Sequence, residues 1–324
     1  MQRLAGWWDR HQIPLYLAAL AIGGLAGSFA PAAAPALTVA INPVLGLLLF
    51  ATFLGVPVIE VARSFRDIRF LGTVLVVNFV VVPAVALGLS RFVADDRALL
   101  VGLLLVLLAP CVDYVIVFTG LAGGAKARLL AAVPVLMLLQ IVLLPVYLVL
   151  FAGSETAGLI DLAPFVEAFL VLIVAPLAAA ALVQAIARRH RAGRAIESAA
   201  ASAMVPLMML TLAVVVASQI AAVGGEAVAL ARVVPLYAAF LAVMLGVGLA
   251  AGRLVGLDAA ATRALVFSGS TRNSLVVLPL ALALPAALDL APLAVVTQTL
   301  VELVGMVVFV RLVPRLTRSP DARD

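Results

Sequence analysis

The chain has 324 residues, of which 66% are hydrophobic and 11% charged, and its mean hydropathy is +1.27. A soluble protein of this length carries roughly 25% charged residues, so the composition excludes a soluble globular protein and predicts an integral membrane protein. The net charge of +5 comes from basic residues scattered through short loops, which excludes a nucleic-acid partner. The single cysteine excludes internal disulfides, and we expect no cofactor.

Apolar segments long enough to cross a bilayer follow one another along the chain, since a spanning helix needs about 20 apolar residues. Ten such segments lie at about 12–31, 36–58, 69–91, 97–121, 127–151, 163–187, 202–222, 229–252, 259–286 and 292–314. The first is similar to a signal peptide, because Arg3 and Arg10 precede its apolar run. We expect it to be retained, because its loss would break the repeat described below.

The placement of arginine and lysine predicts the orientation in the membrane. With the N-terminus in the cytoplasm, 17 basic residues fall on the inner side and only Arg91, Arg97 and Arg232 on the outer side. The remaining one, Arg272, lies within the ninth segment. We therefore predict a multi-pass protein of the cell membrane with both termini in the cytoplasm.

The second half of the chain resembles the first at an offset of about 160–165 residues. The fourth segment is interrupted at Pro110–Asp113 and the ninth at Ser268–Ser274, while Gln140 and Glu302 lie in the middles of the fifth and tenth. Repeats of five helices, at about 12–151 and 163–314, would have opposite orientations in the membrane. Inverted repeats with broken helices at matching positions indicate the substrate site of a transporter. The predicted fold is a single all-α transporter unit of ten transmembrane helices, with helices four and nine broken and crossing.

The break in the fourth segment contains three residues of chemical interest. Pro110 ends the helical hydrogen bonding, and broken backbone at membrane depth must be buried in protein or line a cavity. Cys111 is either an inert core residue or, at the start of a half-helix, a thiolate that binds soft metalloids. Asp113 either caps that half-helix or helps to bind substrate, and the two roles are compatible.

The break in the ninth segment reads SGSTRNS. Ser270, Thr271 and Asn273 either cap freed backbone groups or contact substrate. Arg272 needs a partner at membrane depth, either Asp113 or Glu302, and it forms either an internal salt bridge or a substrate contact.

Further polar side chains lie within the apolar segments. Glu302, with Gln298 one turn earlier on the same helix face, predicts an ion or proton site. Gln140 and Gln298 are predicted to be supporting polar groups, and Asn78 is predicted to make interhelical hydrogen bonds.

Three stretches carry a resemblance to a known family: LAPCVDYVIVFTGLAGG, GSTRNSLVVLPLALALP and LVELVGMVVF. With them the chain resembles the bile acid:sodium symporter superfamily, and more closely its arsenical-resistance permeases. The resemblance implies ten helices in inverted five-helix repeats, with a core domain that moves against a panel domain. It also implies that Cys111 and Glu302 match an essential cysteine and an essential glutamate of the arsenical-resistance branch.

The chain departs from the sodium-coupled members at the ninth segment. Those members carry a glutamate and a glutamine that coordinate sodium, and the aligned residues here are Ser268 and Arg272. A guanidinium is permanently charged and would repel a cation at this place, so we predict sodium-independent transport. Asp113 would be its counter-charge.

The predicted function is proton-coupled export of trivalent arsenic or antimony hydroxides, with the metalloid as cargo only. Cys111 would be its ligand, Glu302 would carry the proton, and the remaining predicted substrate contacts are Asp113, Ser270, Arg272 and Asn273. The alternative is a sodium-independent carrier of a small organic anion held by Arg272 and the half-helix N-termini. An enzyme is not predicted, because we find no nucleophile–base pair. The expected partners are a small inorganic or organic solute, a proton and the lipid bilayer.

Overall fold

A computed structural model of the chain describes residues 8, 11–55, 67–112, 114–157 and 170–317, which are almost entirely helical. The helices are α1 (Gln12–Phe29), α2 (Ala34–Leu54), α3 (Ile68–Val76), α4 (Val82–Ser90), α5 (Arg97–Leu107), α6 (Tyr114–Leu121), α7 (Lys126–Ala157), α8 (Ala175–Ala187), α9 (Arg191–Gly225), α10 (Ala227–Leu230), α11 (Val234–Val255), α12 (Ala259–Ser270), α13 (Ser274–Leu282) and α14 (Leu290–Leu316). A wider, π-helical turn (Val77–Val81) joins α3 to α4. The predicted all-α class is confirmed.

Helices long and apolar enough to span a membrane confirm the prediction of an integral membrane protein. Among the described residues there are six such stretches: Pro31–Leu54, Ile68–Val93, Lys126–Gly153, Arg191–Gly225, Ala227–Val255 and Ala286–Leu316. Shorter apolar helices are Pro14–Phe29, Arg97–Leu107 and Ala175–Ala187. The fourth and ninth predicted segments are each divided into two short helices at their breaks, so the number of ten spans stays a prediction.

The chain divides into two compact units, each built from both halves of the sequence. One comprises Met1–Val58 and Leu162–Ala227, and the other comprises Ile59–Asp161 and Val228–Asp324. The two predicted repeats do not coincide with these units, and the repeat assignment stays a prediction.

Small residues bring the helices of the first unit close together. In α1, Gly23 and Gly27 are four residues apart and face α9, where a Cβ at Gly23 would lie 2.5 Å from the carbonyl oxygen of Ala213. Glycines at this spacing allow close backbone approach between membrane helices. Gln184 on α8 donates hydrogen bonds of 3.2 and 3.3 Å to the carbonyl oxygens of Phe53 and Leu54, which end α2.

The second unit contains both broken helices. Helix α14 packs against α5, α11 and α13, and α11 packs against α12. A Cβ on Gly102 of α5 would lie 2.7 Å from the carbonyl oxygen of Ala291 on α14, so these two backbones are in direct contact. In α11, Gly248 and Gly252 have no side chain and likewise allow Val266 and Thr262 of α12 to pack closely against the helix. This packing fixes the position of α12, which leads into the second break.

Replacing Gly248 with alanine is expected to destabilise the protein by about 1–3 kcal/mol, because the added Cβ would lie 2.8 Å from the Val266 backbone. Gly246, two residues earlier on the same helix, has nothing within 4 Å of that position. Gly246→Ala is therefore the matched control, and its higher helix propensity should leave it neutral or stabilising. Thermal unfolding of both purified variants checks this; equal melting temperatures would contradict the close packing of α11 on α12.

Aspartates begin both of the helices that lead to the breaks. Asp96 accepts hydrogen bonds of 3.0 Å from the backbone N–H groups of Ala98 and Leu99, and Asp258 accepts one of 2.7 Å from Ala261. The Ala261 N–H holds the pKa of the Asp258 carboxyl below its usual value, and nearby Arg128 acts in the same direction. These are N-caps, which satisfy amide donors at a helix start.

Candidate functional site

The two breaks meet inside the second unit. Helix α5 ends at Leu107, and the chain then extends through Pro110 and Cys111, while α12 ends at Ser270 and the chain extends through Thr271 to Asn273. Pro110 and Arg272 form an antiparallel bridge. Asn273 N–H donates to the Ala109 carbonyl at 2.8 Å, and Cys111 N–H donates to the Thr271 carbonyl at 3.3 Å. The predicted crossing of the two breaks is therefore observed.

These two hydrogen bonds are related by a local two-fold symmetry. Every antiparallel bridge has such a pair of bonds, and here the bridged residues, Pro110 and Arg272, are 162 positions apart. The same shift relates the helix caps Asp96 and Asp258. This offset falls within the predicted range of 160–165 residues, and the inverted repeat stays a prediction.

The guanidinium of Arg272 lies at this crossing and is completely buried. Its Nη2 donates to the Asn78 Oδ1 at 2.8 Å and to the carbonyl oxygens of Ser268 and Gly269 at 2.7 and 2.9 Å. Its Nη1 donates to the Leu107 carbonyl at 3.3 Å. Four oxygen atoms from three parts of the chain therefore surround one cation.

The partners of this guanidinium follow the same two-fold relation. Leu107, the last residue of α5, and Gly269, the residue before the last of α12, are 162 positions apart, and so are Asn78 and Phe240. The Phe240 ring centroid is 5.5 Å from the Cζ of Arg272, a distance at which a cation–π interaction contributes. A single side chain thus contacts matching positions of both predicted repeats.

Asn78 contributes more than the predicted interhelical hydrogen bond. It lies in the π-helical turn between α3 and α4, a local geometry that is frequent at functional sites. Its Nδ2 donates to the Val74 carbonyl at 2.9 Å and to Ser268 Oγ at 3.0 Å, which leaves Oδ1 to accept from Arg272. Sequence reasoning missed this role, although a lone amide in an otherwise apolar segment was the available signal.

Glu302 connects α14 to the second break. Its side chain is fully buried, and its Oε2 accepts a 2.8 Å hydrogen bond from the backbone N–H of Arg272. The same oxygen accepts a short hydrogen bond from Gln298 Nε2, one turn earlier, as the predicted shared face requires. Pro110 occupies the equivalent position in the first break and has no N–H, so this connection has no counterpart there.

The other predicted site residues are placed as follows. Cys111 is completely buried at the crossing, and Gln140 is buried on α7. Asn273 caps α13 by accepting a 3.3 Å hydrogen bond from Val276 N–H, which agrees with its predicted capping role. Asp113 lies outside the described residues, so its predicted pairing with Arg272 stays a prediction.

Several buried polar atoms near the second break have no hydrogen-bond partner within the described part of the chain. They are Ser270 Oγ, Asn273 Nδ2 and Ser274 Oγ, and all three residues are at most 1% exposed. Buried polar groups are normally hydrogen-bonded, so atoms of this kind call for an explanation.

Crossed helix breaks, buried polar groups and apolar helices together define a class of protein, the membrane transporters. The Sodium Bile acid symporter family model matches residues 42–226, more than half of the chain, and the chain belongs to this family. Transport of a small solute across a membrane follows from that membership. The match includes Asn78 and Cys111, while Arg272 and Glu302 lie beyond it. A search of curated proteins found no match.

Proposed function

We propose that this chain is a sodium-independent secondary transporter that couples export of trivalent arsenic or antimony hydroxides to protons. The observation that supports sodium independence is the placement of the Arg272 guanidinium among four oxygen acceptors. Carbonyl and amide oxygens are ligands that hard cations use in proteins. In this chain the guanidinium occupies the place among these oxygen atoms that a mobile cation would otherwise take.

The fixed charge also disfavours a second cation at the same place. An arginine side chain keeps its proton in proteins, so Arg272 is a permanent positive charge. Two positive charges a few ångströms apart repel strongly at low dielectric, and sodium would meet this repulsion on entering.

Replacing external sodium with choline is accordingly expected to leave the initial rate of transport unchanged. The measurement uses vesicles containing the purified protein, with membrane potential and pH difference held equal in both media. Empty vesicles provide the background, and a sodium-coupled relative assayed in parallel shows that the choline medium is effective. A collapse of the rate in choline would contradict the proposal.

Glu302 is the proposed proton carrier. A carboxylate can gain or lose a proton, and Glu302 is hydrogen-bonded through one oxygen to the Arg272 backbone and to Gln298. A proton on this carboxyl would weaken the hydrogen bond from the Arg272 N–H, because charged acceptors form stronger bonds than neutral ones. Its protonation state therefore acts directly on the crossing, which is the requirement for coupling.

Cys111 is the proposed ligand of the cargo. The thiol and a trivalent arsenic hydroxide would exchange one As–OH bond for one As–S bond, releasing water from the hydroxide and the thiol proton. Ser270 Oγ and Asn273 Nδ2 are buried and have no hydrogen-bond partner among the described residues, which would suit the remaining hydroxyl groups. Arg272 and Asp113 complete the proposed site, while Gln140 and Gln298 support it.

A small organic anion is the less favoured cargo. It would need the Arg272 guanidinium as its ligand, but both terminal nitrogens already donate to protein oxygens. An anion would have to displace those contacts.

Replacing Cys111 with serine is expected to abolish arsenite export while preserving the fold, because the side chains are similar in size but serine is a hard ligand. Arsenite tolerance of cells expressing each protein, together with efflux from loaded cells, provides the measurement. The melting temperature of the purified serine variant is the control for folding. Unchanged tolerance would exclude the metalloid as cargo and leave sodium-independent transport of another solute.

A further inference from the structure

A second charged feature lies in the first unit. The turn between α8 and α9 carries a basic cluster with no acidic residue between its members, and Glu197 is the next acidic residue. We call this cluster the basic turn. Its members, all exposed, are Arg188, Arg189, His190, Arg191 and Arg194.

The basic turn has a defined backbone. The N–H groups of Arg189 and His190 donate to the Ile186 carbonyl at 2.9 and 2.8 Å. Gly193 packs against Ala187, where a Cβ would lie 2.6 Å from the Ala187 Cα, and Arg194 Nη1 donates to the Ala187 carbonyl at 3.1 Å. The charges are therefore held together on a short, ordered connection.

Helix stability explains only part of this charge arrangement. Arg188 and Arg189 follow the C-terminal end of α8, where a helix dipole favours positive charge. Arg191 and Arg194 lie in the first turn of α9, where the dipole opposes positive charge, and that turn contains no acidic residue. Arg194 donates to the Ala187 carbonyl at the end of α8, which offsets its position, so Arg191 is the charge that the α9 dipole opposes. An external anion held by the cluster would offset that charge.

Apolar side chains border the basic turn. Leu182 and Ile186 lie one turn apart on α8 and are 62% and 39% exposed, and Ile196 on α9 is 43% exposed. A free phosphate ion would need only the charges. A phospholipid would use both features, with its phosphate on the arginines and its acyl chains along the apolar side chains.

We propose that the basic turn binds the headgroup of an anionic phospholipid. Clusters of basic residues at the end of membrane helices attract anionic lipids, and each residue near the surface contributes about a fivefold gain in affinity. This site is independent of the proposed cargo and of the coupling ion.

The test measures lipid binding to the purified full-length protein by native mass spectrometry, with phosphatidylglycerol and phosphatidylcholine as probes. We expect preference for phosphatidylglycerol, and a loss of roughly a hundredfold in its affinity in the triple variant Arg188→Gln, Arg189→Gln, Arg191→Gln. The matched control removes the same charge from exposed arginines of the second unit that do not share one turn, Arg253→Gln, Arg311→Gln, Arg315→Gln, and should lose less affinity than the basic-turn triple.

A second variant separates charge from folding. Lysine at positions 188, 189 and 191 retains the charge, so it should retain affinity to within about tenfold even if the glutamine variant fails to purify. Three results would overturn the proposal: an equal loss of lipid affinity in the control triple, no loss of affinity in the glutamine triple, or a lysine variant that binds as weakly as the glutamine variant. Displacement of the lipid by excess inorganic phosphate would also overturn it and would identify free phosphate as the ligand.

Discussion

Arg272→Leu is expected to destabilise the protein by about 3–5 kcal/mol and to abolish transport. The substitution removes the donors to Asn78, Leu107, Ser268 and Gly269 and leaves their oxygen atoms buried. Each buried acceptor left unsatisfied costs about 1–3 kcal/mol, and water entering the crossing would recover part of that cost. Denaturant unfolding of the purified protein is the measurement.

Two further variants make this result specific. Arg311 is an exposed arginine on α14, and Arg311→Leu should change stability by no more than about 0.5 kcal/mol. Arg272→Lys keeps the charge, but its ammonium group has three N–H donors where the guanidinium has five. Its stability should therefore lie between those of the wild type and the leucine variant. An Arg272→Leu protein as stable as the wild type would show that the guanidinium contacts contribute little.

The double variant Ser268→Glu, Arg272→Gln tests whether Arg272 makes transport sodium-independent, by attempting to create a sodium response. It introduces the glutamate and glutamine that the resemblance to sodium-coupled members implies at these positions, and it removes the fixed positive charge. Transport by the double variant, or its melting temperature, should rise when choline is replaced by sodium, whereas the wild type should not respond. A folded double variant that ignores sodium would show that Arg272 does not replace a cation.

Glu302→Gln is expected to reduce pH-driven transport to the level of empty vesicles. Glutamine has nearly the same shape, and its oxygen can still accept from the Arg272 N–H and from Gln298, so the fold should survive. It cannot carry a proton at any accessible pH. Exchange of labelled for unlabelled substrate at equal pH should persist, because that process needs no net proton movement.

The matched control for Glu302 is Thr299→Val, which removes a buried hydroxyl that donates to the Val295 carbonyl of its own helix at 3.3 Å. It should retain pH-driven transport. If Glu302→Gln still concentrates substrate when only a pH difference is imposed, Glu302 is not the proton carrier.

The helical segments and their breaks were predictable because they depend on local chemistry. Each of the ten apolar segments predicted from the sequence overlaps a helix in the described part of the chain. Pro110 and the run from Ser268 to Ser274 indicated the interruptions, since proline and hydroxyl side chains compete with helical hydrogen bonds. The unusual residues Cys111, Arg272 and Glu302 were also evident, because polar groups are rare in apolar segments.

The oxygen partners of Arg272 within the described residues were not predictable, while its predicted pairing with Asp113 stays a prediction. The sequence indicated that a buried cation needs a partner and suggested the carboxylates of Asp113 and Glu302. The structure shows that Glu302 accepts the backbone N–H of Arg272, while the guanidinium donates to an amide oxygen and three backbone carbonyls. Every residue has a carbonyl, so the acceptor role of Leu107 or Gly269 leaves no mark in the sequence.

The amino-acid sequence alone therefore determines the membrane class, the helices and the residues of interest. It does so because helix formation follows local rules and because polar groups are costly to bury in lipid. The meeting of the two breaks depends on contacts between residues far apart in the chain. Asn78 and Arg272 are separated by 194 positions, and Leu107 and Arg272 by 165. Such contacts form only when α3, α5, α12 and α14 pack together, so the arrangement of the buried cation was decided by tertiary structure.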